Sequence, residues 1–309
     1  MPKVSVIIPS FNCELYIAET ITSVLNQTHP DIELIVVDDG STDRTREIVA
    51  SFGSSVRLIA QQNSGRCAAR NRGIRAATGE FICLLDHDDY WYPKKVAAQL
   101  AVFERYPEAG GVYSGYLPWH ADVDGRYPAP ETIDRTAELD EVNEELSGWI
   151  YHHFLIDIYM LTSAAMFRAE VFDKCGAFVE SLSYSEDWEL WLRISREFQL
   201  ISLRRPMTLY RQHPEQGFRV MRDFDYRTDL LERTAQKWGL CSRDGRCVTR
   251  KQFRNQLATY HISFALGHLQ SGKRSIAIHS FFKAWLVCPL KLKALAYIPA
   301  ALLGWKPNY

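Results

Sequence analysis

The stretch that decides the fold is residues 81–89, Phe-Ile-Cys-Leu-Leu-Asp-His-Asp-Asp, in which an apolar run ends in three carboxylates within four residues. The run has the length of a buried strand. Like charges a few ångströms apart repel, so carboxylates gathered at a strand end favour a bound cation, and Asp oxygens suit hard ions such as Mg²⁺ or Mn²⁺. A polar turn before the helix that follows Pro93 explains the same pattern. On its own, this stretch leaves both interpretations open.

The chain before this stretch alternates between strands and helices. The runs predicted as buried strands are residues 4–8, 32–37, 56–60 and 81–85. Apolar residues at helical spacing follow the first run, and Asn12 is the expected cap of that helix. Four alternations predict an α/β fold with a mostly parallel sheet and helices on both faces, in which ligands bind beyond the carboxyl ends of the strands.

Three segments therefore meet at one edge of the predicted sheet: Pro9–Asn12, Asp38–Asp39 and Asp86–Asp89. Asp38 and Asp39 can accept hydrogen bonds from the base and sugar of a ligand. A turn at Gly40, with Ser41 or Thr42 capping the helix that follows, would also fit them.

A second set of residues opens the helix before residue 81. Asn63 and Gly65 allow close backbone approach, and Arg66 and Arg70 offer cationic groups for base carbonyls or phosphate. A surface helix with solvated arginines is the plain alternative. The sequence has neither a Walker phosphate loop nor Gly-x-Gly-x-x-Gly after the first strand. We therefore expect a metal at the Asp86 and Asp88 cluster to carry most of the phosphate charge.

A further acidic pair, Glu186 and Asp187, begins a helix about a hundred residues later. Acidic residues at a helix start often only complement the helix dipole, which is worth under about 1 kcal/mol. The neighbouring Trp188 and Trp191 suit a sugar ring, although helical tryptophans commonly belong to a core.

Composition bounds the cellular context. Of the 309 residues 47% are hydrophobic and 24% charged, as in a soluble globular protein. We expect neither a signal peptide nor a membrane span, because the apolar runs are too short. The seven cysteines include no Cys-x-x-Cys pair, so we expect reduced thiols in a cytoplasmic protein and no zinc.

The C-terminal segment is strongly basic. Residues 240–309 hold eleven Lys and Arg against one acid, Asp244, whereas the rest of the chain is acidic. This division favours an anionic partner, a membrane surface rather than a nucleic acid. The apolar residues between 281 and 305 alternate with Lys283, Lys291 and Lys293, which suits helices lying at a bilayer surface. A helical pair that packs on the protein with its basic side solvated remains the alternative.

The remaining pattern is less regular. The predicted elements are a strand at 111–116, a variable insertion at 118–147, strands at 160–167, 200–203 and 207–210, and helices at 93–107, 168–178, 250–270, 274–287 and 290–303.

Taken together, these motifs resemble glycosyltransferase family 2, the inverting enzymes of GT-A fold. The resemblance rests on residues 4–12, Gln27-Thr28, 38–43, Asn63-x-Gly65 with Ala69-Arg70-Asn71-x-Gly73, 85–89, Glu186-Asp187 with Leu190 and Arg193, and Tyr210-Arg211-x-His213. It covers about residues 2–215. It implies a Rossmann-like GT-A catalytic domain at 1–216, with a nucleotide and metal half at about 1–117 and an acceptor half at about 118–216. Residues 217–309 are expected to form a basic, mainly helical extension.

The resemblance also assigns roles. The nucleotide site is expected to hold Pro9, Phe11, Asp38, Asp39, Asn63, Gly65, Arg70 and Asp86, with Asp39 accepting from the base and Asp86 holding the ribose. Mn²⁺ or Mg²⁺ is expected on Asp86, Asp88 and His213, and Asp187 matches the general base. The acceptor is expected near Glu186, Trp188 and Trp191. Asp89 is either a second metal ligand or a helix cap.

The implied activity is a metal-dependent, inverting transfer of a sugar from a nucleotide-sugar donor, a UDP-sugar by family expectation. The implied acceptor is a saccharide or lipid-linked saccharide in cell-surface polysaccharide synthesis, at the inner face of the plasma membrane. An aspartyl-nucleophile phosphatase would carry its Asp pair after the first strand, and a nucleotidyltransferase would carry a Gly-rich loop there. A non-catalytic nucleotide-sugar or polysaccharide binding protein is the remaining alternative, and only Asp187 argues against it.

Overall fold

The computed structural model describes residues 1–133, 141–214, 216 and 220–303. The chain divides into two compact units, Met1–Ile150 with Ile158–Pro214 and Tyr151–Asp157 with Glu215–Tyr309. Part of the predicted insertion (134–140) and parts of the predicted extension (217–219 and 304–309) lie outside the described residues. The predicted limits of the catalytic domain and of its halves stay predictions.

Strands of the first unit form a single sheet. They are β1 (Val4–Ser10), β2 (Ile32–Asp38), β3 (Arg57–Ala60), β4 (Phe81–Leu84), β5 (Tyr90–Trp91), β6 (Ala109–His120), β7 (Ala165–Arg168) and β8 (Gln199–Gln212). Their order is β3-β2-β1-β4-β7-β6-β8-β5. The β3-β2-β1-β4 half is parallel throughout, whereas β7 runs antiparallel to both β4 and β6. The predicted parallel arrangement is thus confirmed for the half that contains the acidic strand ends.

Helices cover both faces of this sheet. The α-helices of the chain are α1 (Ile17–Leu25), α2 (Thr45–Ala50), α3 (Arg66–Ala76), α4 (Lys95–Arg105), α5 (Tyr151–Phe154), α6 (Ala169–Cys175), α7 (Glu186–Glu197), α8 (Tyr226–Trp238), α9 (Arg250–Gln270), α10 (Arg274–Val287) and α11 (Leu292–Leu302). Alternate residues of a strand face opposite sides. Val36 accordingly packs in the cluster of α1 and α4, while Ile35 and Val37 pack with Ala69 of α3.

Several local predictions were wrong. The strand predicted at 160–167 is confined to β7, because Thr162–Ala164 form a 3₁₀ turn before it. Asn12 does not cap α1, since the helix begins at Ile17 and Asn12 adopts a φ of 45° in the preceding loop. There its side-chain oxygen accepts from the Thr42 backbone N–H at 2.8 Å. The two short strands predicted at 200–203 and 207–210 are one strand, β8, because irregular pairing with β6 carries the chain past Pro206.

The second unit consists of α5 and α8–α11. The expectation that the cysteines are all reduced was wrong for Cys241 and Cys247, which form a disulfide that closes a short hairpin. Cys13, Cys67, Cys83, Cys175 and Cys288 are free thiols. Among the described residues, no helix has both the length and the apolar character required to cross a bilayer.

Candidate active site

Asp39 organises the loop that leads into α3. One carboxylate oxygen accepts from Gln61 Nε2 at 2.7 Å and from the Ser64 N–H at 2.9 Å, and the other accepts from the Gly65 N–H at 2.8 Å. Gly65 has a φ of 89°, which favours glycine over residues with a side chain. Asp39 is 3% exposed, and these three donors fill three of the roughly four acceptor positions of a carboxylate. The fourth position is the one to which the N–H of a ligand base could donate. Asn63 and Gly65, both exposed, border this position.

Asp38, unlike Asp39, does not fit its predicted place in the nucleotide site. Its side chain is buried and forms an ion pair with Arg46 at 2.7 Å, and it accepts from the Ser41 N–H at 3.3 Å. Asp38 therefore fixes the turn after β2 and is not presented to a nucleotide. Of the predicted base contacts beside it, Pro9 is buried as part of β1, while Phe11 is 42% exposed.

The loop after β4 is held in place by neighbouring elements. Thr20 of α1 donates to the backbone carbonyls of His87 and Asp89. Ser163 Oγ accepts from the Asp86 N–H at 3.1 Å, in the short 3₁₀ turn Thr162–Ala164. His87 Nδ1 lies 3.1 Å from the Pro9 carbonyl oxygen. These contacts fix the carboxylates at the carboxyl end of β4, next to β1.

Asp88 and His213 form a pair at this end of the sheet. Asp88 Oδ2 lies 2.8 Å from His213 Nε2. Burial alone would raise the pKa of Asp88, but the hydrogen bond to His213 and the nearby His87 hold that pKa below its ordinary value. Asp88 is therefore a carboxylate at neutral pH. Carboxylate and imidazole are both ligands for divalent first-row metals.

The contacts of Asp89 support neither of its two predicted roles, a second metal ligand or a helix cap. Its side chain is fully buried, one oxygen accepting from the Arg211 N–H and the other hydrogen-bonded to Ser163 Oγ. Burial and the charges of Asp88 and Asp86 raise its pKa well above the ordinary value. No helix begins at this residue, because α4 starts at Lys95. Asp89 thus joins the loop after β4 to β8.

Arg70 connects the loop after β4 with the start of α7. Its guanidinium is buried and reaches Asp86 Oδ1 at 2.6 Å and Glu186 Oε1 at 3.2 Å. Arg66 contacts the same Glu186 carboxylate at 2.7 Å. A buried charge is costly unless paired, so two carboxylates about a hundred residues apart in sequence are drawn to one cation. Burial opposes the charge on Arg70, but the two carboxylates outweigh it and raise the pKa of Arg70.

Asp187 directly follows Glu186 in the chain. Ser185, two residues before Asp187, adopts a left-handed conformation with φ 58°, which turns the chain into α7. One Asp187 oxygen accepts from the Trp188 N–H at 2.7 Å. Burial and the charge of Glu186 raise the pKa of Asp187 to about 6, against the lowering effect of Arg70. A carboxylate with that pKa is a suitable proton acceptor near neutral pH.

The predicted acceptor contacts are corrected by burial. Trp191 is wholly buried and stacks on Phe167 at 5.1 Å between ring centroids, and Trp188 is 3% exposed. Both tryptophans belong to the core beneath α7. Glu186 is likewise buried against Arg66 and Arg70 and holds those arginines instead of facing an acceptor.

Sequence patterns did not single out the role of Arg211. Its guanidinium lies over the rings of Tyr16, Trp119 and Tyr127, 4.0 to 4.8 Å from their centroids. Its Nε donates to the Asp88 carbonyl at 2.7 Å. Arg211 thereby ties the end of β8, which precedes His213, to the loop of Asp88. The only sequence signal was its place in the Tyr-Arg-x-His motif, since the three rings come from distant segments.

The model of glycosyl transferase family 2 matches residues 5–174, which include β1 to β7 and the acidic strand ends. The chain belongs to glycosyl transferase family 2. An uncharacterized glycosyltransferase of Rickettsia typhi is 33% identical over 196 residues, 63% of this chain and 59% of that protein. The uncharacterized glycosyltransferase EpsJ of Bacillus subtilis is 31% identical over 225 residues, 69% of this chain and 62% of EpsJ.

Two further comparisons concern a longer protein and a solved structure. Chondroitin synthase of Escherichia coli is 32% identical over 207 residues, 63% of this chain and 27% of the synthase. The crystal structure of residues 1–349 of S. aureus TarS in complex with UDP-GlcNAc matches over 98% of this chain and 88% of that 1–349 chain, with a TM-score of 0.63 and 21% identity. That likeness shows the shared fold and confirms the predicted fold class. The chain spans less than two thirds of the length of these curated relatives.

Proposed function

We propose that this family 2 member transfers a glycosyl group from a nucleoside diphosphate sugar to an acceptor hydroxyl, with inversion at the anomeric carbon. The observation that carries the proposal is the contact of one guanidinium, Arg70, with both Asp86 and Glu186. This contact brings the acidic end of β4 and the helix start that bears Asp187 to the same edge of the sheet, where a donor and an attacking alcohol would meet.

Different residues would bind the donor and accept the proton. Asp39 accepts from the base, and Phe11 offers an exposed ring beside it. Asp86, whose other oxygen is free of Arg70, accepts from the ribose. Asp187 takes the proton of the acceptor hydroxyl as that oxygen attacks the face opposite the leaving diphosphate. Such general-base assistance is typically worth about 10²–10⁴-fold in rate. A single displacement requires no second carboxylate as nucleophile, in contrast to retaining glycosidases.

We propose Mn²⁺ or Mg²⁺ as cofactor, and the donor atoms present fit it. Asp88 Oδ2 and His213 Nε2 lie 2.8 Å apart, so both can turn toward one ion. Among the described residues, no group of three or more His, Cys, Asp and Glu side chains converges on a metal position. Asp88 and His213 would therefore share the ion with diphosphate oxygens, and the ion would stabilise the charge on the leaving diphosphate. Asp86 is the weaker candidate ligand, because Arg70 occupies one of its oxygens.

For the substrates we propose a UDP-sugar and a saccharide or lipid-linked saccharide acceptor of a cell-surface polysaccharide. Support comes from the match to chondroitin synthase and from the fold shared with TarS, which was crystallised with UDP-GlcNAc. We also propose that the protein works in the cytoplasm at the inner face of the membrane. The basic C-terminal segment supports an anionic partner.

The alternative is a non-catalytic protein that binds nucleotide-sugar or polysaccharide. It requires Asp39 and the Asp88–His213 pair but no group to accept a proton. The raised pKa of Asp187, which follows the Glu186 that Arg70 links to Asp86, is what favours catalysis.

A donor screen tests the proposed function. The full chain is incubated with UDP-, dTDP- and GDP-sugars, with Mn²⁺ or with EDTA, and the released nucleoside diphosphate is measured. We expect one donor to be consumed with Mn²⁺ and at least about tenfold slower with EDTA. Tight binding of a donor without any turnover across saccharide and lipid-linked acceptors would support the binding protein instead.

A further inference from the structure

The C-terminal helices combine two unusual properties, the first of which is charge. Residues 245–309 contain ten Lys and Arg and neither Asp nor Glu. A protein surface ordinarily intersperses both signs. Arg246 and Lys273 form ion pairs with Asp244 and Asp223, which lie before this segment, and the segment itself holds no carboxylate.

The second property is the outward face of α11. Leu292, Leu302 and Leu303 are 69%, 65% and 88% exposed, and Leu295 between them is partly exposed. Their spacing places them on one side of the helix. The opposite side of α11 is packed, because Ala294 and Ala301 are buried against α9 and α10. A surface helix normally presents polar residues outward, and α11 presents leucines.

Exposed apolar residues also occur on the preceding helix and in the connection between the two helices. Phe282 and Leu286 of α10 are about half exposed, and Leu290 in the connection is almost fully exposed. Lys283 and Lys293 are exposed beside them. We name the exposed apolar residues of α10 and α11 and their connection the leucine face; its members are Phe282, Leu286, Leu290, Leu292, Leu295, Leu302 and Leu303.

We propose that the leucine face inserts into the surface of an anionic lipid bilayer, with Lys283 and Lys293 at the headgroups. Exposed apolar side chains of this number are stabilised when they leave water, and interfacial helices bind in this way with basic residues at their flanks. Each Lys or Arg near an anionic membrane strengthens binding by about fivefold. The binding is peripheral, since no helix of the described chain is suited to spanning the bilayer.

A second copy of the chain fits this surface less well. A twofold interface brings the same patch of both copies together. Here it would oppose two basic segments, each without a carboxylate between residues 245 and 309 to offer the other. Like charges placed opposite each other across an interface are unfavourable. A lipid surface supplies the missing negative charge.

Vesicle flotation of the full chain tests the proposal. The vesicles are phosphatidylcholine alone, or phosphatidylcholine with about a third phosphatidylglycerol. We expect binding to the anionic vesicles that weakens as salt increases. Leu292→Gln with Leu302→Gln should weaken it by at least about tenfold through lost apolar burial. Lys283→Glu with Lys293→Glu should weaken it by more than about 25-fold.

Matched controls come from the first unit. Val123→Gln replaces a fully exposed apolar residue and Arg72→Glu an exposed cation, and neither should change flotation. Absence of flotation by the unaltered chain would overturn the proposal. It would equally be overturned if both double variants bound vesicles like the unaltered chain. Oligomers in light scattering that the leucine variant dissolves, without any vesicle binding, would assign the leucine face to a second copy instead.

Discussion

At the scale of single residues, the candidate active site depends on Arg70. Its buried guanidinium lies between Asp86 and Glu186, so removing it would take from Asp86 its ion-pair partner and leave Glu186 paired with Arg66. The same cluster sets the basicity of Asp187, because Glu186 raises its pKa and Arg70 and Arg66 lower it. The charges that assemble the site therefore also tune the proposed base.

The pH dependence of transfer follows from this balance. Asp187 must be deprotonated to accept a proton, so kcat/KM should rise with pH through an apparent pKa of about 6. Glu186→Gln should move that limb to lower pH, because it removes the repulsion that raises the pKa. Arg66→Gln should move it to higher pH, because it removes a cation that lowers the pKa. The measurement is kcat/KM between about pH 4 and pH 8 for the three proteins.

Stability provides an independent readout of the same group. A raised pKa means that the folded chain binds the Asp187 proton more tightly than the unfolded chain, so this contribution to stability falls as pH rises from 3.8 to about 6. Asp187→Asn should remove that part of the slope. If neither Glu186→Gln nor Arg66→Gln moved the rise of kcat/KM along the pH axis, or if both moved it in the same direction, the charge cluster would not set the pKa of Asp187.

Asp89 yields a second prediction at the same scale. Burial and the charges of Asp88 and Asp86 raise the pKa of Asp89 and so favour its neutral form, and Asp89→Asn should therefore cost under about 1 kcal/mol in the free energy of unfolding. Asp89→Leu should cost about 1–3 kcal/mol, since it leaves the Arg211 N–H and Ser163 Oγ without their buried partner. Urea unfolding followed by circular dichroism measures both. Equal losses in the two variants would mean that Asp89 is ionised in the folded protein.

At the scale of secondary structure, α3 carries most of the site. Asp39 binds the backbone N–H groups at its start, Arg66 and Arg70 project from its first turns, and Gly73 rests on β1. The sequence signal for this helix was the pair of arginines and the glycine before them. What the sequence could not give was their partner, because Glu186 lies more than a hundred residues further along the chain.

Gly73 allows the close contact of α3 with β1. A methyl group built there would lie 2.2 Å from Ile7 Cγ2, well inside contact distance. Gly73→Ala should therefore destabilise the protein by about 1–3 kcal/mol, despite the higher helix propensity of alanine. The double variant Gly73→Ala with Ile7→Ala should be less destabilised than the sum of the single changes, which denaturant unfolding can measure. A stabilising Gly73→Ala would show that α3 does not pack this closely.

At the scale of the whole chain, the apolar strands and their acidic ends could be predicted from the sequence, because a buried parallel strand has a continuous apolar signature. Other features could not be predicted from the sequence. Helical periodicity cannot separate a core tryptophan from a sugar-binding one, and Trp191 proved to be core. The burial of Asp38 and the fixing of Asp89 depend on Arg46 and on Ser163 and Arg211, which local sequence does not relate to them.

The measurement that tests the central claim most directly compares nucleotide binding and sugar transfer in Asp187→Asn. In the proposed site Asp187 faces the acceptor and does not bind the nucleotide, so the variant should bind UDP in the presence of Mn²⁺ with a Kd within about threefold of the unaltered chain. Its transfer rate should fall by about 10²–10⁴-fold. An Asp187→Asn protein that transfers sugar at the unaltered rate would contradict the assignment of Asp187 as the base.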